Sequence, residues 1–305
     1  MLRVQSRSDL SKDDLKALSD QALELGKATI YSAKQAADGM GELAAAGFKA
    51  KQIMEAMPGV LDLAAGGQVE VARAAEITAS TLGQFGLEAS KATHVADMMV
   101  KAANMGVLTL DDLAESMKYV GPAAKMVGYS LEDTAAAIAL LSNSGIKGSQ
   151  AGSALRMGFL RLVSTKKPVV ETLQALGVKA EELPGKLRPL NDIITDLVKA
   201  GANAKDIQKI FGTEAASAWA ALVNEIRRAP EALKEFQKET SNADGYAKKA
   251  AATLQSGLFG SFEQLKGSIE TAGIAIGQML TPAAQILAGA LQVVVDVVTS
   301  LVTWL

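Results

Sequence analysis

Helix starts and helix stops alternate along almost the whole sequence, with no strand signal between them. Ser11 with Asp14, Ser32 with Gln35, Thr109 with Asp112 and Ser130 with Asp133 have capping-box spacing. In that motif the first side chain accepts an orphan backbone N–H three residues on, and the second returns the bond. Gly26, Gly47, Gly86, Gly106, Gly128, Gly145, Gly177, Gly201 and Gly212 follow apolar-periodic stretches, where a left-handed C-cap suits a residue without Cβ. No alternating β-branched or aromatic run is bounded by hairpin turns. The pattern predicts an all-α chain in which residues 11 to about 226 form roughly ten or more short helices, each of about 10 to 18 residues.

Composition tells the same story. Hydrophobic residues make up 49% of the 305-residue chain and aromatic ones only 4%. The core is therefore built from Ala, Leu, Val, Ile and Met, and its cohesion comes from many small contacts. The chain has no cysteine, which removes disulfides, thiolate metal sites and a cysteine nucleophile together. A formal charge of -2 lacks the basic excess of a nucleic-acid binder. The opening MLRVQSRSDLSKDD has no apolar core of the kind a secretory signal needs.

Two prolines within helical patterning are expected to interrupt it: Pro58 to begin a new helix, and Gly121-Pro122 to kink or break the one starting after Thr109. After Pro230, strong stops become rare and Ala, Lys, Glu and Gln dominate, as in a longer exposed or self-associating helix. The expected organisation is a compact multi-helix core over 1–228, a long amphipathic helical region over 229–270 and an apolar helical tail over 271–305. The stretch Thr271 to Val295 carries no charge over 25 residues. As one helix it would measure roughly 37 Å, more than a bilayer core of about 30 Å. Pro282 is expected to divide it. Gly273 and Gly277 form a small-residue pair suited to close helix approach, and Trp304 suits a membrane interface. Gln278, Gln285, Gln292 and Asp296 fall on one helical face instead, as in an oligomeric bundle. Membrane segment and bundle helix are both open on these residues.

Catalytic constellations are hard to find. His94 is the only histidine, with Asp97 three residues on and Glu88 six before. A metal site needs a second histidine or converging carboxylates at recognised spacing, so His94 reads as a helix-surface or boundary residue. Adjacent carboxylates such as Asp111-Asp112 and Glu132-Asp133 point about 100° apart on a helix and suit its first turn, not acid/base work. Glu70 and Glu76 are the carboxylates to compare with a lysozyme-like pair, but no cleft signature accompanies them. The stretch NSGIKGSQAGSALRMGFLRL lacks the order of a phosphate loop, because Lys147 precedes Gly148 and no strand leads into it. Gly148, Gly152, Ser153 and Ala154 instead form a small-residue face for helix packing. No cofactor or metal is expected. Between Asp133 and Glu171 the chain has no acidic residue but carries Lys147, Arg156, Arg161, Lys166 and Lys167. That basic face is expected to meet an acidic partner or to be a solvated surface.

Three blocks in order carry a resemblance: Ala56-Met57-Pro58-Gly59-Val60-Leu61-Asp62-Leu63-Ala64, Tyr119-Val120-Gly121-Pro122, and Asn143 to Arg156 with its Gly145-Ile146-Lys147-Gly148-Ser149-Gln150-Ala151-Gly152. Spanning roughly Leu15 to Glu225, they resemble the core region of phage tail tape-measure proteins. The resemblance implies a non-enzymatic virion tail component that occupies the tube lumen and sets tube length during assembly. It marks Pro58, Gly59, Gly121, Pro122, Gly145, Gly148 and Gly152 as structural motif positions. Implied partners are the tail tube protein, tail assembly chaperones, tail tip proteins and further copies of the chain. Implied locations are the virion tail, the host cytoplasm during assembly and the host membrane on infection. Members of this family are far longer, so the resemblance also implies a truncated or split form. Two other readings compete: a membrane-active protein inserting its apolar tail, and a nucleic-acid-binding helical protein.

Overall fold

All four capping boxes are formed in a computed structural model of the chain, which describes residues 10–255, 264–277, 279–281 and 292. The described chain is all-α apart from one small hairpin. Its helices are α1 (Lys12–Ala28), α2 (Ala33–Ala45), α3 (Ala50–Gly67), α4 (Val71–Phe85), α5 (Ala92–Met105), α6 (Leu110–Val127), α7 (Leu131–Ser142), α8 (Gly148–Leu162), α9 (Lys167–Ala175), α10 (Leu190–Lys199), α11 (Ala204–Phe211), α12 (Ala216–Arg228), α13 (Ala232–Ser241) and α14 (Tyr246–Gln255). A further helical stretch covers 264–277.

Alternate helices pair. α2, α4, α6 and α8 lie side by side in one row, while α3, α5 and α7 form a second row packed on the first. Each tight turn therefore sends the chain from one row to the other, and the interface between rows is the core. Met40, Leu43, Ile53, Met57, Leu63, Leu82, Met98 and Met99 are fully buried there. Alanine fills the closest approaches, as Ala135, Ala136 and Ala137 do on α7. α9 to α12 form a second group resting on α7 and α8. Here the scarce aromatics gather. Trp219 stacks on Phe211 at 3.9 Å between centroids, and Phe159 bridges Trp219 and Tyr129 edge-on. The indole Nε1 donates to the Ala154 carbonyl at 2.9 Å, and the ring lies on Gly158, where any Cβ would collide with it.

Several expectations need correction. Pro58 lies inside α3 and does not begin a helix, and Pro122 lies inside α6 and does not break it. Proline at position 58 leaves the Met54 carbonyl without its helical donor, and Gln21 Nε2 of α1 donates to it at 3.0 Å. Lys118, four residues before Pro122, is an exposed residue. Seven of the nine glycine stops have positive φ: Gly47, Gly86, Gly128, Gly145, Gly177, Gly201 and Gly212. Gly106 is instead extended at φ -98, and Gly26 lies within α1, where an added Cβ would stand 2.5 Å from the Ala33 nitrogen. A short antiparallel hairpin, Glu181–Leu183 with Lys186–Leu187, interrupts the helices around Gly185. After Pro230 the chain forms not one long helix but α13 and α14, separated at Gly245 (φ 74) and packed back on α7, α5 and α3.

The stretch 264–277 returns to the start of the fold. Thr271, 2% exposed, accepts the Ala33 N–H at 3.1 Å and so supplies a partner for an orphan donor in the first turn of α2. No helix among the described residues is long and apolar enough to cross a membrane. Gly273 and Gly277 are helical and exposed, with no neighbour where a Cβ would stand. Trp304 lies outside the described residues.

Candidate partner-binding surfaces

Three of the motif glycines, Gly59, Gly121 and Gly152, mark where helices of one row cross, whereas Gly148 has φ 54 and only Asp112 Oδ1 at 3.8 Å from an added Cβ. At Gly59 an added Cβ would stand 2.5 Å from Ala92 C and Thr93 N, at the contact of α3 with α5. Gly121 faces the Gln84 side chain across α6 and α4, and Gly152 lies directly on the Ser116 carbonyl across α8 and α6. Ser116 Oγ reinforces that last crossing by donating to the Gly148 carbonyl at 2.8 Å. Gly145 has a different task, turning the chain before α8 at φ 78. Gly59, Gly121 and Gly152 thus allow close interhelical approach.

The basic residues do not act as one set. Arg161 turns inward: its Nη1 lies 3.5 Å from the Lys209 and Ile210 carbonyls at the end of α11, where a cation meets the negative end of the helix. Lys167 pairs with Glu171 at 3.7 Å on the surface. Lys147 is the half-buried N-cap residue of α8, whereas Arg156 and Lys166 are exposed. The Arg161 contact brings exposed Lys205 and Lys209 of α11 to the same side of the fold. No local charge pattern foretold them, because they lie more than 40 residues along the chain.

A second polar surface was invisible in the sequence. His94, Asp97 and Lys101 follow at spacings of three and four, which puts them on one face of α5. His94 Nε2 lies 2.7 Å from Glu132 Oε1, and Nδ1 lies 3.5 Å from Asp244 Oδ1. Asp97, 3% exposed, accepts the Gly245 N–H at 2.8 Å and the Ala247 N–H at 2.9 Å, capping α14 from a different helix. Lys101 Nζ lies 2.6 Å from Glu239 and 4.8 Å from the centroid of the Tyr246 ring. Gln237 adds a 3.0 Å bond to Asp133. Burial works to raise the Glu132 pKa, but hydrogen bonds from His94, its own backbone N–H and Ser130 hold it below the ordinary value. Burial raises Asp62, opposed by Lys248 of α14 and reinforced by the Asp97 charge. These side chains tie α13 and α14 to the core.

Glu76 pairs with Arg73 at 2.7 Å, and Arg73 also holds Asp111 at 2.8 Å. Glu70 is an exposed residue at the start of α4. The two glutamates are thus a surface ion pair and a helix-start residue. Among the described residues no group of three His, Cys, Asp or Glu side chains could hold a metal.

The described residues thus form a two-row helical fold held by glycine crossings within each row and polar ties between elements. The chain belongs to the phage-related minor tail protein family, which matches residues 19–212. It is 40% identical over 302 residues to the tape measure protein of Pneumococcus phage Dp-1, covering 97% of this chain and 26% of that protein. It is 28% identical over 280 residues to the probable tape measure protein of Escherichia phage P2, covering 88% of this chain and 34% of that one. The chain thus spans about a quarter to a third of the length of these relatives. No solved structure matches it.

Proposed function

We propose that this chain acts in a phage tail as the folded core of a tape-measure protein, taking part in tail tube assembly and length determination. The observation that carries the reading is 40% identity to a tape measure protein along 97% of the chain. In this reading the two-row core docks at one place in the assembly, with tail tube, chaperone and tip proteins as partners. The helical sequence beyond it contributes length. Electron microscopy of tails tests it. In-frame deletion of helical sequence outside the core shortens the tails in proportion, and substitutions at the glycine crossings abolish tails without changing the length of any that form. Tails of normal number and length after removal of the gene would overturn the proposal.

Self-association has its own support. In the helical residues 264–277 and 279–281, Leu265, Ile269, Ile276, Met279 and Leu280 are each at least 58% exposed. Leu265, Ile269, Ala272, Ile276 and Met279 recur at spacings of four, three, four and three, the seam of a coiled coil. The opposite side, through Gly267 and Thr271, rests on the core. That apolar seam fits a second copy of the chain.

A further inference from the structure

A half-open pocket of about 340 Å³ lies where the end of α4 and the starts of α5 and α7 meet. None of the motif glycines or prolines lines it. Its floor is apolar: Phe85, Tyr129 and Leu131 are buried and Leu87 is half-buried. Two exposed ammonium groups stand at its walls, Lys91 from the turn before α5 and Lys125 from the last turn of α6. Lys101, Lys167 and Lys234 each have a carboxylate within 4 Å, whereas no such partner stands beside Lys91 or Lys125 among the described residues. The Lys125 ammonium lies over Gly86, in space that a side chain there would fill. Glu132 is the single carboxylate in the lining, and the 2.7 Å contact with His94 already engages it.

We propose that this pocket binds an apolar side chain flanked by a carboxylate, presented by an acidic-apolar segment of a partner protein. The apolar group rests on Phe85, Leu87 and Leu131, and the carboxylate lies between Lys91 and Lys125. Each half of the pocket excludes something. The Tyr129 hydroxyl in the floor already donates to the Arg188 carbonyl at 2.8 Å, and Phe85, Leu87 and Leu131 offer no side-chain partner, so a plain polar ligand loses its hydration with little compensation. The ammonium pair selects negative charge and disfavours cationic or neutral ligands of the same shape. The volume lies at the small end of ligand sites, enough for one large side chain and the peptide beside it. Charge complementarity, more than area, would set the choice of partner.

The test is an NMR titration of the ¹⁵N-labelled full chain with N-acetyl-phenylalanine, which joins a ring to a carboxylate. N-acetyl-phenylalaninamide and inorganic phosphate serve as controls. Amide shifts are expected at Gly86 to His94 and Lys125 to Glu132. Binding of the amide and of phosphate should each be weaker by at least about tenfold. The double variant Lys91→Gln/Lys125→Gln exposes both changes to solvent and should keep its melting temperature while losing the carboxylate preference. Leu87→Asn should lower affinity for the acid and for the amide alike. The proposal is overturned if the acid produces no localised shifts at about 10 mM, if the amide or phosphate binds as well as the acid, or if the double variant still prefers the carboxylate.

Discussion

Gly145 and Gly152 stand seven residues apart in one block, yet different constraints act on them. Gly145 has φ 78 and open space where a Cβ would go, so Gly145→Ala meets only backbone strain and should cost about 1 kcal/mol. Gly152→Ala would drive a methyl group into the Ser116 carbonyl, and separating α6 from α8 should cost about 1–3 kcal/mol or more. Chemical denaturation of both variants checks the order. A larger loss from Gly145→Ala would mean that the crossing is less close than described. Gln21 is a related case, since only its amide satisfies the carbonyl that Pro58 leaves free. Gln21→Leu should therefore destabilise by about 1 kcal/mol, the net worth of a part-buried hydrogen bond. In the background of Pro58→Ala, which restores the helical N–H, that loss should shrink. Sequence reading located Gly145, Gly152 and Pro58 but not Gln21, and mistook the role of Pro58, because its compensating partner sits on another helix.

At the scale of elements, α13 and α14 join buried apolar anchors, Leu233 and Ala247, to a set of polar ties. Asp97 is nearly buried and caps two N–H groups of the segment, so Asp97→Ala removes both bonds at once. Hydrogen exchange over 232–255 should accelerate in that variant while α6 and α8 stay protected. Uniform acceleration would contradict local release. The Glu132 carboxyl titrates below its ordinary value of 4.5 in the folded protein. Its contribution is therefore present above that value and is lost as pH falls through the lower folded value. Acid should loosen 232–255 across that window, and Glu132→Gln should flatten the response, as exchange at a series of acidic pH values would report. Asp62 has the opposite sign. Its raised pKa means the charged form works against the fold, so Asp62→Asn should leave neutral-pH stability unchanged or slightly higher. None of this polar clamp was legible beforehand: His94 and Asp244 lie 150 residues apart, and a one-dimensional reading of His94 finds only Asp97 and Glu88.

For the whole molecule, the described residues present a long exposed apolar seam, Leu265, Ile269, Ile276 and Met279. Sedimentation equilibrium of the full chain should show concentration-dependent association that Leu265→Ser/Ile269→Ser weakens. A strictly monomeric chain at high concentration would rule out the second copy as its occupant. Because these side chains face solvent, the double variant should keep the melting temperature of the core.

The helical class, the four capping boxes, most of the glycine stops and the tail-protein family were readable from the sequence alone. Each depends on spacing within a few residues, where backbone hydrogen bonding and helical period act directly. Tertiary structure alone decided that Pro58 and Pro122 would stay inside helices, that Arg161 would turn inward while Arg156 stays exposed, and that the chain after Pro230 would fold back on α5. Those outcomes depend on groups supplied by distant segments: the Gln21 amide, the open end of α11 and the Asp97 carboxylate. Local propensity carries no record of partners that only packing brings within bonding distance.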